Sequence, residues 1–305
     1  GRTRASITNA SASGKVTTNG QRVGGLVGYL DAYSDEEVKT VTATGNVSAG
    51  GQYVGGLIGF IDQSGTNAQY HELTMSEAHA TGDVSTTYSG GGSAQVGGLV
   101  GRFHESRDLT NVSATGDVTS ATGNYVGGLI GRLQMENGNQ IVSNAFATGA
   151  VTSTGDRVGG LMGDSNGIIT DSYAHGAVST TGQRVGGLVG SHQDGPIRNV
   201  TATGDVSTTG RKVGGLVGYT QTSVTNASAS GEVTTDGQEV GGLVGELDAH
   251  SDEEVRTVTA TGNVSTGSYY VGGLIGFIDQ SGTNAQYHEV TMSDAHATGD
   301  VSTTY

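Results

Sequence analysis

Val213-Gly214-Gly215-Leu216-Val217-Gly218 is the stretch that decides the fold. The same hexapeptide starts again at Val23, Val54, Val96, Val126, Val158, Val185, Val240 and Val271, and only its fifth position varies, as Val, Ile or Met. Successive starts lie 31, 42, 30, 32, 27, 28, 27 and 31 residues apart. Self-similarity at a period of about 20–50 residues marks a solenoid, a propeller or an array. Val and Leu are three apart in the motif, so a flat strand would send them to opposite faces. The glycines between them relieve this, because glycine marks bends and close backbone approach within strands. The motif therefore predicts a short strand kinked at its glycines, with Val and Leu both turned inward. A phosphate-binding loop is excluded, since no copy carries the Lys-Ser/Thr pair or the strand–turn–helix setting such loops need.

A second block precedes each hexapeptide, for example Asn199-Val200-Thr201-Ala202-Thr203-Gly204-Asp205-Val206-Ser207. Its glycine recurs at Gly14, Gly45, Gly82, Gly116, Gly149, Gly176, Gly231, Gly262 and Gly299, each with Ala two before it and Val two after it. This period of two predicts a half-buried long strand with Val-Ala-Gly-Val inward and Thr-Thr-Asp-Ser outward. Seven before the glycine every copy is Ile, Val, Leu or Met, and five before it most copies have Asn or Asp, as at Asn9, Asn111, Asn199 and Asp294. Asx residues tolerate left-handed angles, so a corner is expected there. Thr208-Thr209-Gly210 and its equivalents predict the next turn. The shortest coils have 27 residues, which suggests three sides and three short strands per coil. No segment has a helical apolar period, so the expected fold is an all-β parallel β-solenoid with about one coil per hexapeptide. A single coil buries too few large aliphatics to order itself, so stability must come from stacking.

The chain has 305 residues with 55 Gly, one Pro, no Cys and no Trp, and a net charge of −15. Collagen is excluded because the glycines have no three-residue period. No run of 18 apolar residues exists, so this segment holds no membrane span. The negative charge disfavours a nucleic-acid partner. Acidic, Lys-poor composition suits high salt as well as an ordinary acidic surface.

A longer period overlies the coils. Residues 1–88 realign on 218–305 at an offset of 217 with 15 differences. The expected organisation is one continuous solenoid over 1–305, with a first unit at 1–217 and the start of a second at 218–305, cut from a longer array.

The recurring Gly25-Leu26-Val27-Gly28, Gly56-Leu57-Ile58-Gly59 and their equivalents resemble the GLUG motif, named for Gly-Leu-hydrophobic-Gly. The structural positions are Leu26, Leu57, Leu99, Leu129, Leu161, Leu188, Leu216, Leu243 and Leu274. The resemblance implies a repeat module of large secreted or surface proteins of bacteria and archaea, including adhesin-like proteins and some IgA-cleaving peptidases whose repeats lie outside the catalytic part. It brings no catalytic residues to transfer and no cofactor.

Insertions collect between the hexapeptide and the next aliphatic corner, along one edge. There Asp31, Asp35 and Glu36 recur as Asp248, Asp252 and Glu253. Carboxylate oxygens suit calcium, but the spacing matches no calcium loop, and a solvated acidic loop is the plainer reading. His71, Glu72 and His79 recur as His288, Glu289 and His296, with nothing to indicate convergence on a metal. Outward Thr-x-Thr pairs (Thr42 and Thr44, Thr201 and Thr203, Thr259 and Thr261) resemble the ranks of ice-binding solenoids, but His79, Phe146, Tyr173 and His175 interrupt the rank. Asn-x-Ser/Thr sequons at Asn9, Asn46, Asn111, Asn199, Asn226 and Asn263 are glycosylation candidates in a competent host. The function expected is an extracellular structural or adhesive fibre, a cell-surface stalk or filament body. Its partners would be other copies of itself, neighbouring surface proteins or glycans. An ice-binding solenoid is the alternative.

Overall fold

The computed structural model describes all residues except 33–34, 63–72, 91–92, 107, 136–139, 281–287 and 305, with no side-chain description at 105–106. It is a parallel β-solenoid. Strands follow in a fixed cycle through four sheets, giving nine complete rounds and three strands of a tenth. Three sheets have ten strands and the fourth has nine, and each strand pairs in parallel with its equivalents in the turns before and after. No helix occurs among the described residues, so none is long and apolar enough to cross a membrane.

One turn shows how the sequence makes the cycle. Val189–His192 lies on the first face, Ile197–Ala202 on the second, Val206–Thr208 on the third and Val213–Gly214 on the fourth. Four strands per turn replace the three expected, for two reasons. The hexapeptide is divided: Val213–Gly214 belongs to the fourth face, Gly215 and Leu216 form a bend, and Val217–Thr220 opens the first face of the next turn. The long strand is divided as well. It ends at Ala202, and Thr203-Gly204-Asp205 is a corner before Val206. Gly204 sits there because a Cβ on it would stand 2.0 Å from the Gly176 carbonyl oxygen of the previous turn. No other residue can stack this closely.

The Asx position is not a corner. Asn199, at φ 53°, lies within the strand Ile197–Ala202. Its left-handed angle shifts the side-chain alternation, so that Ile197 and Val200 both point inward while Arg198 and Asn199 point out. The same bulge occurs at Asn9, Asn111, Asn144, Asp171, Asn226 and Asp294, and also where the residue is Thr40, Glu77 or Thr257.

Val and Leu of the hexapeptide are both buried, in different cores. Leu216, Val217, Ile197, Val200 and Ala202 belong to a wide core between the first and second faces. Val213 and Val206 belong to a narrow core between the third and fourth, filled almost wholly by two valines per turn. The three glycines of the motif make this possible by their size, since among the described residues positive φ is found only at Gly167 and Gly195 among glycines. A Cβ on Gly214 would meet Val217 O at 2.1 Å, one on Gly215 would meet Gly242 O at 2.2 Å, and one on Gly218 would meet Val185 N at 2.4 Å. The fourth and first faces thus touch backbone to backbone.

Hydroxyls tie turns along the axis. The Thr208 Oγ1 donates to Gly182 O at 2.8 Å in the previous turn and accepts from Gly210 N at 3.0 Å in its own. Thr180, Thr235 and Ser153 do the same. These Thr-Thr-Gly, Thr-Asp-Gly and Ser-Thr-Gly segments are turns, as their composition suggests, and their first hydroxyl is also a buried or part-buried strut.

Candidate functional site

Because the hexapeptide folds back on itself, the residue before it and the residue after it lie side by side on the outside. Stacking turns these pairs into two adjacent columns: Arg22, Tyr53, Gln95, Tyr125, Arg157, Arg184, Lys212, Glu239 and Tyr270 before it, and Tyr29, Phe60, Arg102, Arg132, Asp164, Ser191, Tyr219, Glu246 and Phe277 after it. In the shortest turns the leading residue takes a left-handed angle, as at Arg184 (φ 58°), Lys212 (φ 60°) and Glu239 (φ 62°).

Together the columns form a ladder of cations and rings. Arg22 lies 4.4 Å from the Tyr29 ring centre and 5.1 Å from that of Phe60, and Arg102 lies 5.3 Å from Phe60 on a neighbouring turn. Arg132 and Arg157 both lie against Tyr125, at 4.8 and 5.0 Å. Arg184 and Lys212 flank Tyr219 at 4.7 and 4.8 Å. Tyr29 and Phe60 also stack, at 5.3 Å between centroids. Such contacts strengthen as water is excluded.

Carboxylates complete the ladder. Asp164 lies 3.1 Å from Arg132 Nε and 3.6 Å from Arg157 Nε, and its burial outweighs these cations and pushes its carboxyl above the ordinary value. Glu246 is also pushed up by burial, against the pull of Lys212 at 2.5 Å. Asp62 is held low, first by its hydrogen bond with His104 at 3.0 Å. Burial and a hydrogen bond to Asp248 at 2.6 Å push the Tyr219 hydroxyl up, so it remains a donor. The ladder's chemistry is cohesion between turns and a patterned outer charge.

The acidic residues singled out from the sequence occupy separate settings. Asp31 is buried and hydrogen-bonded by Arg2 and Arg4. Asp35 is exposed and Glu36 is buried. Asp248 accepts from Tyr219, Asp252 accepts from the Glu289 backbone N–H at 2.9 Å, and Glu253 accepts from Ser223 at 2.6 Å. Among the described residues no three His, Asp or Glu side chains are grouped as a metal ion would need. His71 and Glu72 lie outside the described residues. His79 pairs with Ser113 at 2.7 Å on the second face. On that face Phe146 stacks on Tyr173 at 5.0 Å and Tyr173 meets His175 at 4.7 Å, so rings interrupt the threonine rank.

All six sequon asparagines are exposed. Asn9, Asn111, Asn199 and Asn226 occupy the bulge of the second face, where Asn226 donates to Asn199 at 2.6 Å. Asn46 and Asn263 follow the corner glycine, where their carbonyl oxygens accept the backbone N–H of Asp83 and Asp300 in the next turn. The nine structural leucines line the wide core, with Leu26 and Leu274 partly buried.

The ladder columns were missed from the sequence. Their signal was the recurrence of Arg, Lys, Tyr and Phe immediately outside the invariant hexapeptide, and it needed the fold-back to become meaningful.

The GLUG motif model matches residues 19–48, 181–207 and 209–234. Over 162 residues the chain is 58% identical to Halomucin of Haloquadratum walsbyi, an alignment that covers 53% of this chain and 2% of that protein. No solved structure matches. Nine copies of Gly-Leu-hydrophobic-Gly stand at the same bend of successive turns, and three stretches of the chain match the GLUG motif directly.

Proposed function

We propose that the chain is part of an extracellular structural or adhesive fibre, displayed at the cell surface as a stalk or as the body of a filament. The observation that carries this reading is the 217-residue super-repeat laid onto an uninterrupted solenoid: duplication lengthens the rod without altering its section. A spacer gains reach from such copying, and an adhesive surface gains avidity. An enzyme gains nothing from repeating a scaffold whole. The similarity to Halomucin and the GLUG match support a surface setting. Other copies of the chain, neighbouring surface proteins and glycans are the partners this reading implies, and the six exposed sequons are its candidate points of glycan attachment. The second face does not favour ice binding, because its threonines are interrupted by Phe146, Tyr173 and His175. The test is immunogold electron microscopy of producing cells with an antibody against this chain. Label along thin surface fibres is expected; label confined to the cytoplasm would refute the reading.

A further inference from the structure

Cations crowd one stretch of the ladder. Arg157, Arg184 and Lys212 lead three successive hexapeptides, and Arg211 stands just before Lys212. In a chain with a net charge of −15, these four border a single cavity of about 160 Å³ where the third face turns into the fourth. Gln183 and Asp156 complete its lining. The space is far more than one water occupies, about 30 Å³ in the liquid. It has room for an oxyanion and the atoms that carry it.

The four cations are not equally engaged. Lys212 pairs with Glu246, and Arg157 with Asp164. Among the described residues Arg184 and Arg211 pair with no carboxylate. Both are nonetheless held in place. Arg184 lies against the Tyr219 ring at 4.7 Å. Arg211 donates from Nε to Gln183 Oε1 at 3.1 Å, and the Gln183 backbone N–H donates to Asp156 Oδ1 at 2.9 Å. This chain of bonds runs over three turns and engages the one carboxylate of the lining. It leaves the two terminal nitrogens of Arg211 to a ligand. Cations already fixed lose little freedom on binding, and a planar guanidinium suits an oxyanion by offering two parallel bonds.

A second hollow of about 410 Å³ adjoins the cavity, sharing Asp156, Gln183 and Arg211, and runs along the turns that follow the third face. Thr154, Thr181 and Thr209 rank along it, one per turn, about 4.8 Å apart. Each hydroxyl donates to a backbone carbonyl of the previous turn: Thr154 to Ala121, Thr181 to Thr154 at 3.0 Å, and Thr209 to Thr181 at 3.3 Å. A hydroxyl that donates still accepts, so the rank is a row of oriented acceptors. Gln238 and Asp236 close the far end with more. Apart from glycine, the hollow's lining holds no apolar residue.

We propose that this corner binds a sugar chain bearing one oxyanion, a uronate carboxylate or a sulfate ester. The oxyanion sits on Arg184 and Arg211 in the cavity, and sugar hydroxyls donate to the threonine rank in the hollow. An acidic peptide suits the cavity but not the hollow, which has nothing apolar to receive side chains. A polyanion is disfavoured, because Asp236 lies at the far end and the whole chain is acidic. At physiological salt, charges beyond about 8 Å are largely screened, so a single anionic group is governed by the cations beside it. The site deepens the glycan side of the surface-fibre reading and rests on that reading for where the ligand is met.

Isothermal titration calorimetry of the 305-residue chain at about 150 mM salt tests it with four probes: a hyaluronan disaccharide with one carboxylate, chitobiose carrying one 6-sulfate, plain chitobiose, and inorganic sulfate. A charged disaccharide should bind with Kd below about 1 mM, and the tighter of the two names the oxyanion. Plain chitobiose and inorganic sulfate should each bind at least about tenfold more weakly. Arg184→Gln and Arg211→Gln should each weaken the charged disaccharide about tenfold or more, as loss of a hydrogen bond to a charged group predicts. Arg198→Gln removes the same charge from an exposed position on the second face and should change Kd less than about twofold. Thr181→Val should weaken the disaccharide severalfold and leave inorganic sulfate unaffected. Unchanged circular dichroism verifies that each variant folds. The site is overturned if neither charged disaccharide binds, if plain chitobiose or inorganic sulfate binds as tightly, or if Arg198→Gln costs as much as Arg211→Gln. Binding in solution does not depend on display, so its failure leaves the surface reading standing, and cytoplasmic label in the microscope would leave the site standing.

Discussion

The wide and narrow cores run the length of the same rod, yet they are built to different tolerances. In the wide core the packing residues vary, with Leu, Ile, Met, Phe, Val and Ala all present. In the narrow core the two facing positions are Val in every turn. The two copies of the 88-residue segment repeat the contrast: Ile7 becomes Val224 and Leu73 becomes Val290 in the wide core, while no narrow-core valine changes. The difference lies in what sets the sheet spacing. The narrow core is bounded by glycine corners at the Gly204 column and at the hexapeptide, and its two facing valines are kept while only its margin varies, where Ala49 becomes Thr266. The wide core is bounded by longer strands and can take up a methylene by small shifts, where volume-conserving exchanges cost least.

Variants that break this contrast should follow a clear order. Leu216→Asp places an unpaired charge in the wide core and should cost more than about 4 kcal/mol, since Leu216 is fully buried against neighbouring turns. Denaturant unfolding should show it, with loss extending to more than one turn. Gly214→Ala follows. Its Cβ would stand 2.1 Å from Val217 O and 2.6 Å from Leu243 O, and both contacts are backbone. The fourth and first faces must part, with a fall in thermal midpoint comparable to that of a core overpacking mutant, about 1–3 kcal/mol or more.

His192 gives the third prediction. It is fully buried in the first-face strand, its Nδ1 bonded to Ser165 Oγ at 2.8 Å and its Nε2 donating to Gly195 O at 2.8 Å. Burial pushes it down to about 4 from 6.5. Above pH 6.5 it is neutral folded or unfolded and its contribution is complete. As pH falls from 6.5 towards 4 the unfolded chain takes the proton first, so stability drops by about 3 kcal/mol across that window. Comparing the pH dependence of unfolding in the parent and in His192→Gln isolates the effect. Equal slopes would contradict it.

Thr208→Val should cost about 1–3 kcal/mol, because it leaves the buried Gly182 carbonyl and Gly210 N–H without their shared hydroxyl. A variant as stable as the parent would mean that the axial struts are dispensable. Thr203→Asp comes last. Thr203 is exposed at the corner, and a change beyond about 0.5 kcal/mol in urea unfolding would contradict its outward placement.

Much of this architecture was legible in the sequence. The hexapeptide spacing specified stacked turns, the inward Leu column is real, and the Thr-Thr-Gly turns are where composition put them. The fourth strand was hidden because Gly204 fits the two-residue alternation while serving as a corner. Periodicity records which way a residue faces and does not record the 2.0 Å approach that ends the strand there. Asn199 was read as a turn residue for its left-handed tendency; the angle is present, spent on a bulge inside a strand. The cation–ring ladder was illegible for another reason. Arg184 and Tyr219 are 35 positions apart and meet only after the hexapeptide folds back and the turns stack.

The central claim is that each super-repeat adds length and nothing else. Small-angle X-ray scattering of this chain beside one lengthened by a further 217-residue unit, at matched salt and concentration, tests it directly. Seven added turns should extend the longest dimension by about 34 Å and leave the cross-sectional radius unchanged. A thicker particle, or one whose length does not grow, would contradict the account.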